Sequence, residues 1–237
     1  MTQSMKPNAA VGGPGETTNA QDVRIAPLGL AGILTIPSGA TALVIFAHGS
    51  GSSRLSPRNQ TVARALNGRG IATLLLDLLT SEEEGDRAKV FDIRFLASRL
   101  IETVDWLDKQ PETHALRIGL FGASTGAAAA LVTAAELGGR IGAIVSRGGR
   151  PDLARNALDR ILTPTLLIVG GADFIVIELN EQAFERLHGP KALEIVPEAT
   201  HLFPEPGALE MVIERALAWF KTYLEPGPLP ANRTDPA

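Results

Sequence analysis

Short apolar runs alternate with amphipathic segments along most of this chain. Apolar runs bounded by turn residues are typical of strands that are buried on both faces of a parallel sheet. Two further runs, at residues 23–28 and 30–36, are separated by Gly29 and closed by Pro37, which predicts an entry hairpin. The buried strands are predicted at residues 42–47, 71–76, 117–121, 143–145, 165–169 and 193–196.

Amphipathic periodicity and cap residues place helices between these strands. Ser56 and Pro57 form an N-cap and first-turn pair for a helix that ends before Gly68. An Ala-rich segment closes on Gly138 and Gly139, as the C-terminus of a helix often does. The predicted helices cover residues 57–67, 90–108, 124–137 and 207–224.

The alternation of strands and helices predicts a doubly wound α/β fold, with a mostly parallel sheet and helices on both faces. Ligands bind such folds at the carboxyl ends of the strands, so chemistry is expected in the strand-to-helix loops. We expect one domain at residues 23–224. Residues 1–22 and 225–237 are rich in polar residues, glycine and proline, and we expect them to form disordered tails.

Composition narrows the classes of function. The net charge of -4 and the pI near 5.6 provide no basic surface that would favour nucleic acid as a partner. The absence of cysteine excludes disulfides, thiolate metal sites and a cysteine nucleophile. The first 22 residues have no apolar core typical of a signal peptide, and no apolar run approaches the ~20 residues of a membrane helix. We therefore expect a soluble, cytoplasmic protein without a membrane partner.

The segment Gly122-Ala123-Ser124-Thr125-Gly126 lies directly between a predicted strand and the Ala-rich helix. This is the G-x-S-x-G pattern in the strand–turn–helix context of a nucleophile elbow. The small residues allow a sharp turn, which would expose the Ser124 hydroxyl above the sheet at the positive end of a helix. The sequence therefore predicts Ser124 as a nucleophile, and a simple helix N-cap is the alternative interpretation.

A serine nucleophile needs a base, and hydrolases with this elbow order their residues Ser, acid, His. Of the four histidines, only His188 and His201 follow Ser124, and only His201 stands just past a predicted strand. Asp173 stands just past the strand at residues 165–169 and is the predicted acid of the triad. The alternative for Asp173 is a cap on the helix that follows.

A tetrahedral intermediate also needs donors for its oxyanion. The backbone N–H of Thr125 is the first expected donor, because it follows the nucleophile at the start of a helix. The loop after residues 42–47 begins His48-Gly49-Ser50, whose small residues let the backbone approach a ligand. The Ser50 N–H is the predicted second donor. We place His48 and Gly49 at the substrate-binding mouth and favour a structural role for the His48 ring.

Four motifs occur in a fixed order along the chain. They are His48-Gly49-Ser50-Gly51, Gly122-Ala123-Ser124-Thr125-Gly126, Gly170-Gly171-Ala172-Asp173 and Ala199-Thr200-His201-Leu202-Phe203. Together they resemble the dienelactone hydrolase-like family of α/β-hydrolases across residues 23–224. The namesake enzymes use cysteine as the nucleophile, whereas this chain resembles a serine variant, so dienelactone is not its expected substrate. Similar sequences also occur fused to phosphoribosyltransferase domains, but no motif of that activity is visible here.

Substrate size and charge are suggested by the loops. Only about 19 residues separate the strand ending at Val145 from Thr165, which leaves room for one helix and no cap domain. Small, accessible esters therefore fit better than long lipids. The loops near the predicted mouth contain arginines that would attract an anionic ester, or would instead pair with nearby acidic residues. The candidate substrate-binding arginines are Arg54, Arg147 and Arg150.

The sequence thus predicts a serine hydrolase of carboxylic esters that forms an acyl-enzyme. No phosphate-binding loop follows Gly119 or Gly122, and four scattered histidines do not suggest a metal site, so no cofactor and no metal are expected. A thioesterase or an acyltransferase would use the same triad, and a ligand-binding pseudo-hydrolase is the non-enzymatic alternative. The expected partner is a small-molecule ester, with the chain acting as a monomer or homodimer.

Overall fold

The apolar runs form an eight-stranded sheet in the computed structural model, which describes residues 20–225. The strands lie side by side in the order β1-β2-β4-β3-β5-β6-β7-β8. The hairpin of β1 and β2 is antiparallel, and the six strands from β3 to β8 are parallel, as predicted. The strands are β1 (Ala20–Ile25), β2 (Leu30–Thr35), β3 (Ala42–Ala47), β4 (Ala72–Leu76), β5 (Arg117–Ala123), β6 (Ile141–Arg147), β7 (Thr165–Gly170) and β8 (Lys191–Val196).

Helices cover both faces of this sheet and bury two hydrophobic clusters. On one face α3 and α4 pack through Leu100 and Leu131, and on the other face α1 and α6 pack through Val62 and Phe220. Side chains of adjacent residues in β5 enter opposite clusters, since successive strand residues point to opposite faces. The helices are α1 (Pro57–Asn67), α2 (Arg87–Val90), α3 (Ile93–Leu107), α4 (Thr125–Leu137), α5 (Phe174–Arg186) and α6 (Ala208–Leu224).

Two predicted boundaries were wrong. The strand β1 begins at Ala20, within the segment 1–22 that was expected to be a tail. Residues 20–22 are exposed and two of them are polar, so no apolar run marks them, yet they pair with residues 33–35 through the backbone. The helix predicted at residues 90–108 begins only at Ile93, because the Asp92 side chain accepts a hydrogen bond from the Phe95 N–H and caps it, and a separate short helix that was not predicted ends at Val90. The rest of both predicted tails lies outside the described residues, apart from Glu225.

No inserted cap domain covers the carboxyl edge of the sheet between residues 20 and 225. The connection from β6 to β7 holds only a 3₁₀ segment, Pro151–Arg160, with a kink at Arg155. None of the helices in this part of the chain combines the length and apolar character that crossing a bilayer requires. The loops that follow β3, β5, β6, β7 and β8 therefore meet at an open edge.

Candidate active site

Ser124 occupies a strained turn between β5 and α4. Its backbone has φ 50° and ψ -122°, a region that side-chain-bearing residues rarely adopt. Its hydroxyl makes no capping hydrogen bond to the helix, so the simple N-cap alternative is not what the structure contains. A Cβ on Gly122 would overlap the backbone of Ala127, and one on Gly126 would overlap the Ala47 carbonyl. The small residues of the pattern are therefore required by the fold of the elbow.

Asp173 and His201 form a hydrogen-bonded pair at the same edge of the sheet. The Asp173 Oδ2 lies 2.7 Å from the His201 Nδ1. Asp173 precedes α5, but its carboxylate makes no capping hydrogen bond to that helix. The carboxylate is therefore used for the histidine, which the sequence predicted, and not for the helix, which was the alternative.

The loop after β6 connects this pair to the serine. The Ser124 N–H donates to the Arg147 carbonyl at 3.4 Å, and the next residue, Gly148, packs against the histidine loop. A Cβ on Gly148 would lie 2.9 Å from the His201 carbonyl and 3.6 Å from its Nδ1. The fold thus brings all three predicted triad residues to adjoining loops. The His201 side chain is partly exposed, with 38% of its surface accessible to solvent.

The loop after β3 packs directly on the elbow. A Cβ on Gly49 would lie 2.9 Å from the Ser124 Cβ, so only glycine allows this approach. The Ser50 N–H, which the sequence predicted as a free oxyanion donor, donates to the Thr125 Oγ1 at 3.0 Å. The Thr125 N–H is at the first position of α4, where no helical partner exists for it. Ser50 and Thr125, the two predicted oxyanion residues, are therefore in contact, and the Ser50 N–H already donates a hydrogen bond within the protein.

The ring of His48 is used to hold the loops in place. The Leu78 N–H donates to the His48 Nε2 at 3.1 Å, which leaves Nδ1 to donate to the Gly49 carbonyl at 2.9 Å. Burial lowers the pKa of His48, which favours this neutral form. With both ring nitrogens engaged, none is left to bind substrate. His48 lines the mouth as predicted, but its polar role is structural.

Two of the three predicted substrate-binding arginines have carboxylate partners. Arg54 pairs with Asp77 through its backbone N–H at 2.7 Å and through its guanidinium. Arg150 makes two hydrogen bonds with Asp152, at 2.9 and 2.8 Å. These contacts fix the loops, as the alternative interpretation expected.

Arg147 differs from the other two arginines. It is buried beside Asn59 and the Phe203 ring, with Nη2 3.5 Å from the Asn59 Oδ1. Its Nε and Nη1 have no hydrogen-bond partner among residues 20–225. Burial, and secondly the charge of Arg58, lower the pKa of Arg147 to about 10. A buried cation without a carboxylate partner among residues 20–225 therefore lies at the carboxyl end of β6.

A cavity of about 860 Å³ adjoins the oxyanion loop. One wall contains Ser50, Thr125 and Arg58, and the opposite wall is formed by α2 and the start of α3. The sequence did not indicate these residues, because no helix was predicted over α2 and the motifs pointed only to strand ends. The available signals were Asp86 and Asp92, whose side chains cap α2 and α3. Residues from that wall include Arg87, Val90, Phe91 and Leu96.

A nucleophile elbow after β5, an acid after β7 and a histidine after β8, on an uncapped doubly wound sheet, define an α/β-hydrolase. The dienelactone hydrolase family model matches residues 30–224. The chain therefore belongs to the dienelactone hydrolase family.

Individual relatives agree with this assignment. The crystal structure of a dienelactone hydrolase from Anabaena variabilis is 54% identical, with a TM-score of 0.84 over 88% of this chain and 99% of that one. A serine hydrolase without a lid from Xanthomonas campestris has a TM-score of 0.69 at 21% identity, over 94% of this chain and 100% of that one, and shares the fold.

A curated relative from Mycobacterium tuberculosis, provisionally named as a phosphoribosyl transferase, is 57% identical over 203 residues. The match covers 85% of this chain and 46% of that protein. The chain thus spans about half the length of the curated relatives it matches.

Proposed function

We propose that this protein is a serine hydrolase of small carboxylic esters that works through an acyl-enzyme. The observation that supports this most directly is the 2.7 Å hydrogen bond between Asp173 and His201. This bond fixes Nδ1 as the protonated ring nitrogen and leaves Nε2 available as a base. The strained elbow presents the Ser124 hydroxyl at the same edge of the sheet.

In the first half-reaction, His201 Nε2 takes the Ser124 proton while the oxygen bonds to the acyl carbon. The tetrahedral intermediate then collapses, the bond to the leaving alcohol breaks, and the imidazolium gives its proton to that alcohol. Water then attacks the acyl-enzyme by the same steps, with His201 first as base and then as acid, and the carboxylic acid is released. Asp173 orients the ring and stabilises the imidazolium throughout.

The oxyanion is stabilised where Ser50 and Thr125 meet. The Thr125 N–H at the helix start supplies the first hydrogen-bond donor to the oxyanion. The second donor is a polar hydrogen of the hydrogen-bonded pair that Ser50 and Thr125 form. The positive end of the α4 macrodipole adds to this field.

The substrate preference follows from the open edge and from two arginines. Arg58 and Arg147 form no ion pair with a carboxylate among residues 20–225, and Arg58 lines the cavity beside Ser50. Their combined charge favours esters that have a carboxylate or another anionic group. Arg54 and Arg150 already pair with aspartates, so we give them loop-fixing roles.

The transferase name belongs to a longer mycobacterial protein and does not describe the part that this chain matches. The match covers less than half of that protein, and the geometry described above is that of a hydrolase. A thioesterase or an acyltransferase would use the same groups, and assays with thioesters and with alcohol acceptors separate these activities from ester hydrolysis.

Hydrolysis of p-nitrophenyl acetate by the wild type and by Ser124→Ala tests the proposal. We expect turnover by the wild type and a loss of at least about 1,000-fold in kcat for the variant, because the nucleophile is removed. Circular dichroism establishes that both proteins are folded. Equal rates, or no turnover by the folded wild type, would contradict ester hydrolysis and favour a ligand-binding role.

A further inference from the structure

The side chain of Thr125 occupies an unusual position in the elbow. Its Oγ1 accepts a hydrogen bond from the Ser50 N–H at 3.0 Å, across 75 positions of the chain. The residue is buried but lines the cavity next to Ser50. The Thr125 hydroxyl oxygen thus already accepts a hydrogen bond within the protein, and the next question is which acceptor its hydrogen meets.

The other threonines of α3 and α4 donate their hydroxyl hydrogen to a backbone carbonyl of their own helix. Thr103 donates to the Arg99 carbonyl at 2.7 Å, and Thr133 donates to the Ala129 carbonyl at 2.8 Å. Thr125 is the first residue of α4, so no carbonyl of its own helix precedes it. Among residues 20–225 the Thr125 hydroxyl donates to no protein acceptor.

The location of this free O–H matches the place where charge develops in ester hydrolysis. Thr125 directly follows the nucleophile, and the Gly49–Ser50 backbone packs against Ser124. The Thr125 N–H and Oγ–H belong to one residue, and that residue lines the cavity together with Ser50. A hydroxyl that accepts a hydrogen bond is also polarised, which makes it a stronger donor.

We propose that the Thr125 hydroxyl is itself an oxyanion donor, acting together with the Thr125 N–H. The Ser50 N–H then has a positioning role, since its hydrogen bond to Oγ1 orients the hydroxyl towards the substrate. This inference rests on the proposed ester hydrolysis and changes the identity of the second donor from a loop N–H to a side-chain O–H.

Three variants test the proposal. Thr125→Val keeps the shape of the side chain without the hydroxyl and should lower kcat about 100-fold with little change in KM, as the loss of one oxyanion donor does. Thr125→Ser keeps the hydroxyl and should retain most of the activity. Thr133→Val is the matched control on the same helix, because its hydroxyl is bonded internally, and its kcat should equal that of the wild type.

Affinity for a transition-state analogue adds a readout that a purely structural role would not change. Binding of an aryl boronic acid should weaken in Thr125→Val by about the same factor as kcat/KM, because both depend on the oxyanion donors. If Thr125→Val keeps the kcat of the wild type, the proposal is wrong while ester hydrolysis stands. If the folded wild type neither hydrolyses aryl esters nor reacts with a fluorophosphonate, the proposed function itself is wrong.

A crystal structure of the phosphonate adduct on Ser124 distinguishes the hydroxyl from the Ser50 N–H. We expect the phosphonyl oxygen within hydrogen-bond distance of the Thr125 Oγ1 and N atoms, with the Ser50 N–H still bonded to Oγ1. An oxygen that instead bonds to the Ser50 N–H, with the Thr125 hydroxyl turned away, would overturn the proposal.

Discussion

The burial of Arg147 is explained more easily by function than by stability. A buried cation without a carboxylate partner loses its hydration without compensation. The lowering of its pKa to about 10 corresponds to a cost of about 3 kcal/mol for the charged form. Because the pKa in the folded protein is below that of the unfolded chain, the cost is full at neutral pH and is relieved only above about pH 10.

Replacing this cation should therefore stabilise the fold. We expect Arg147→Met to raise the free energy of unfolding at pH 7 by about 1–3 kcal/mol in urea denaturation, because methionine fills a similar volume without charge. The same variant should lose the preference for anionic over neutral esters, measured as the ratio of their kcat/KM values. An Arg147→Met protein that is more stable but keeps this ratio would show that Arg147 does not select the substrate.

At the residue scale, the sequence identified which side chains stand at strand ends, but not all of their bonding partners. Ser124, Asp173 and His201 could be predicted because the fold fixes where each must lie along the chain. The bond from Ser50 to Thr125 joins residues from distant loops, and no local pattern encodes it. For the same reason, the sequence left open whether each arginine would pair with an aspartate or meet the substrate.

The nucleophile elbow is the element in which strain is concentrated. Ser124 has a positive φ that costs residues with a Cβ about 1–3 kcal/mol. Glycine adopts this conformation without strain, although it loses more entropy on folding. We expect Ser124→Gly to be more stable than Ser124→Ala by about 1 kcal/mol in urea denaturation, with both variants inactive.

The comparison of these two variants isolates the backbone, because neither one has the hydroxyl. A Ser124→Ala protein that is at least as stable as Ser124→Gly would mean that the turn is not strained.

The Gly126 position provides a contrast. A methyl group there would overlap the Ala47 carbonyl, so Gly126→Ala should fail to reach the native fold.

At the element scale, periodicity predicted the strands and most helices well. It failed where backbone pairing or a capping side chain determines the boundary of an element. The edge strand β1 begins in exposed residues that pair with β2 through the backbone. The helix α3 begins at Ile93 and not at residue 90, because Asp92 caps it inside a continuous amphipathic pattern. Neither error displaced a predicted site residue, although the second lies in the connection from β4 to α3 that lines the cavity.

At the scale of the whole molecule, the open carboxyl edge sets the kind of ester that can be reached. No cap domain covers this edge between residues 20 and 225, and the connection from β6 to β7 is a short 3₁₀ segment. Where a lid opens only on contact with an aggregated substrate, the rate rises once that substrate forms an interface, whereas an open site has no such conformational step.

The hydrolysis rate should therefore show no jump above the solubility limit of a short-chain triglyceride. Rates measured with tributyrin across that limit should follow one saturation curve. A sharp increase at the limit would indicate a covering segment that closes the site, contrary to an open edge.

The central claim is that Ser124 becomes acylated with the help of His201 and Asp173. The most direct measurement is reaction with a fluorophosphonate, followed by peptide mass spectrometry of the wild type, Ser124→Ala and Asp173→Asn. We predict an adduct on Ser124 in the wild type, none in Ser124→Ala, and much slower labelling in Asp173→Asn. A folded wild type that takes up no label, or takes it up at another residue, would contradict the account.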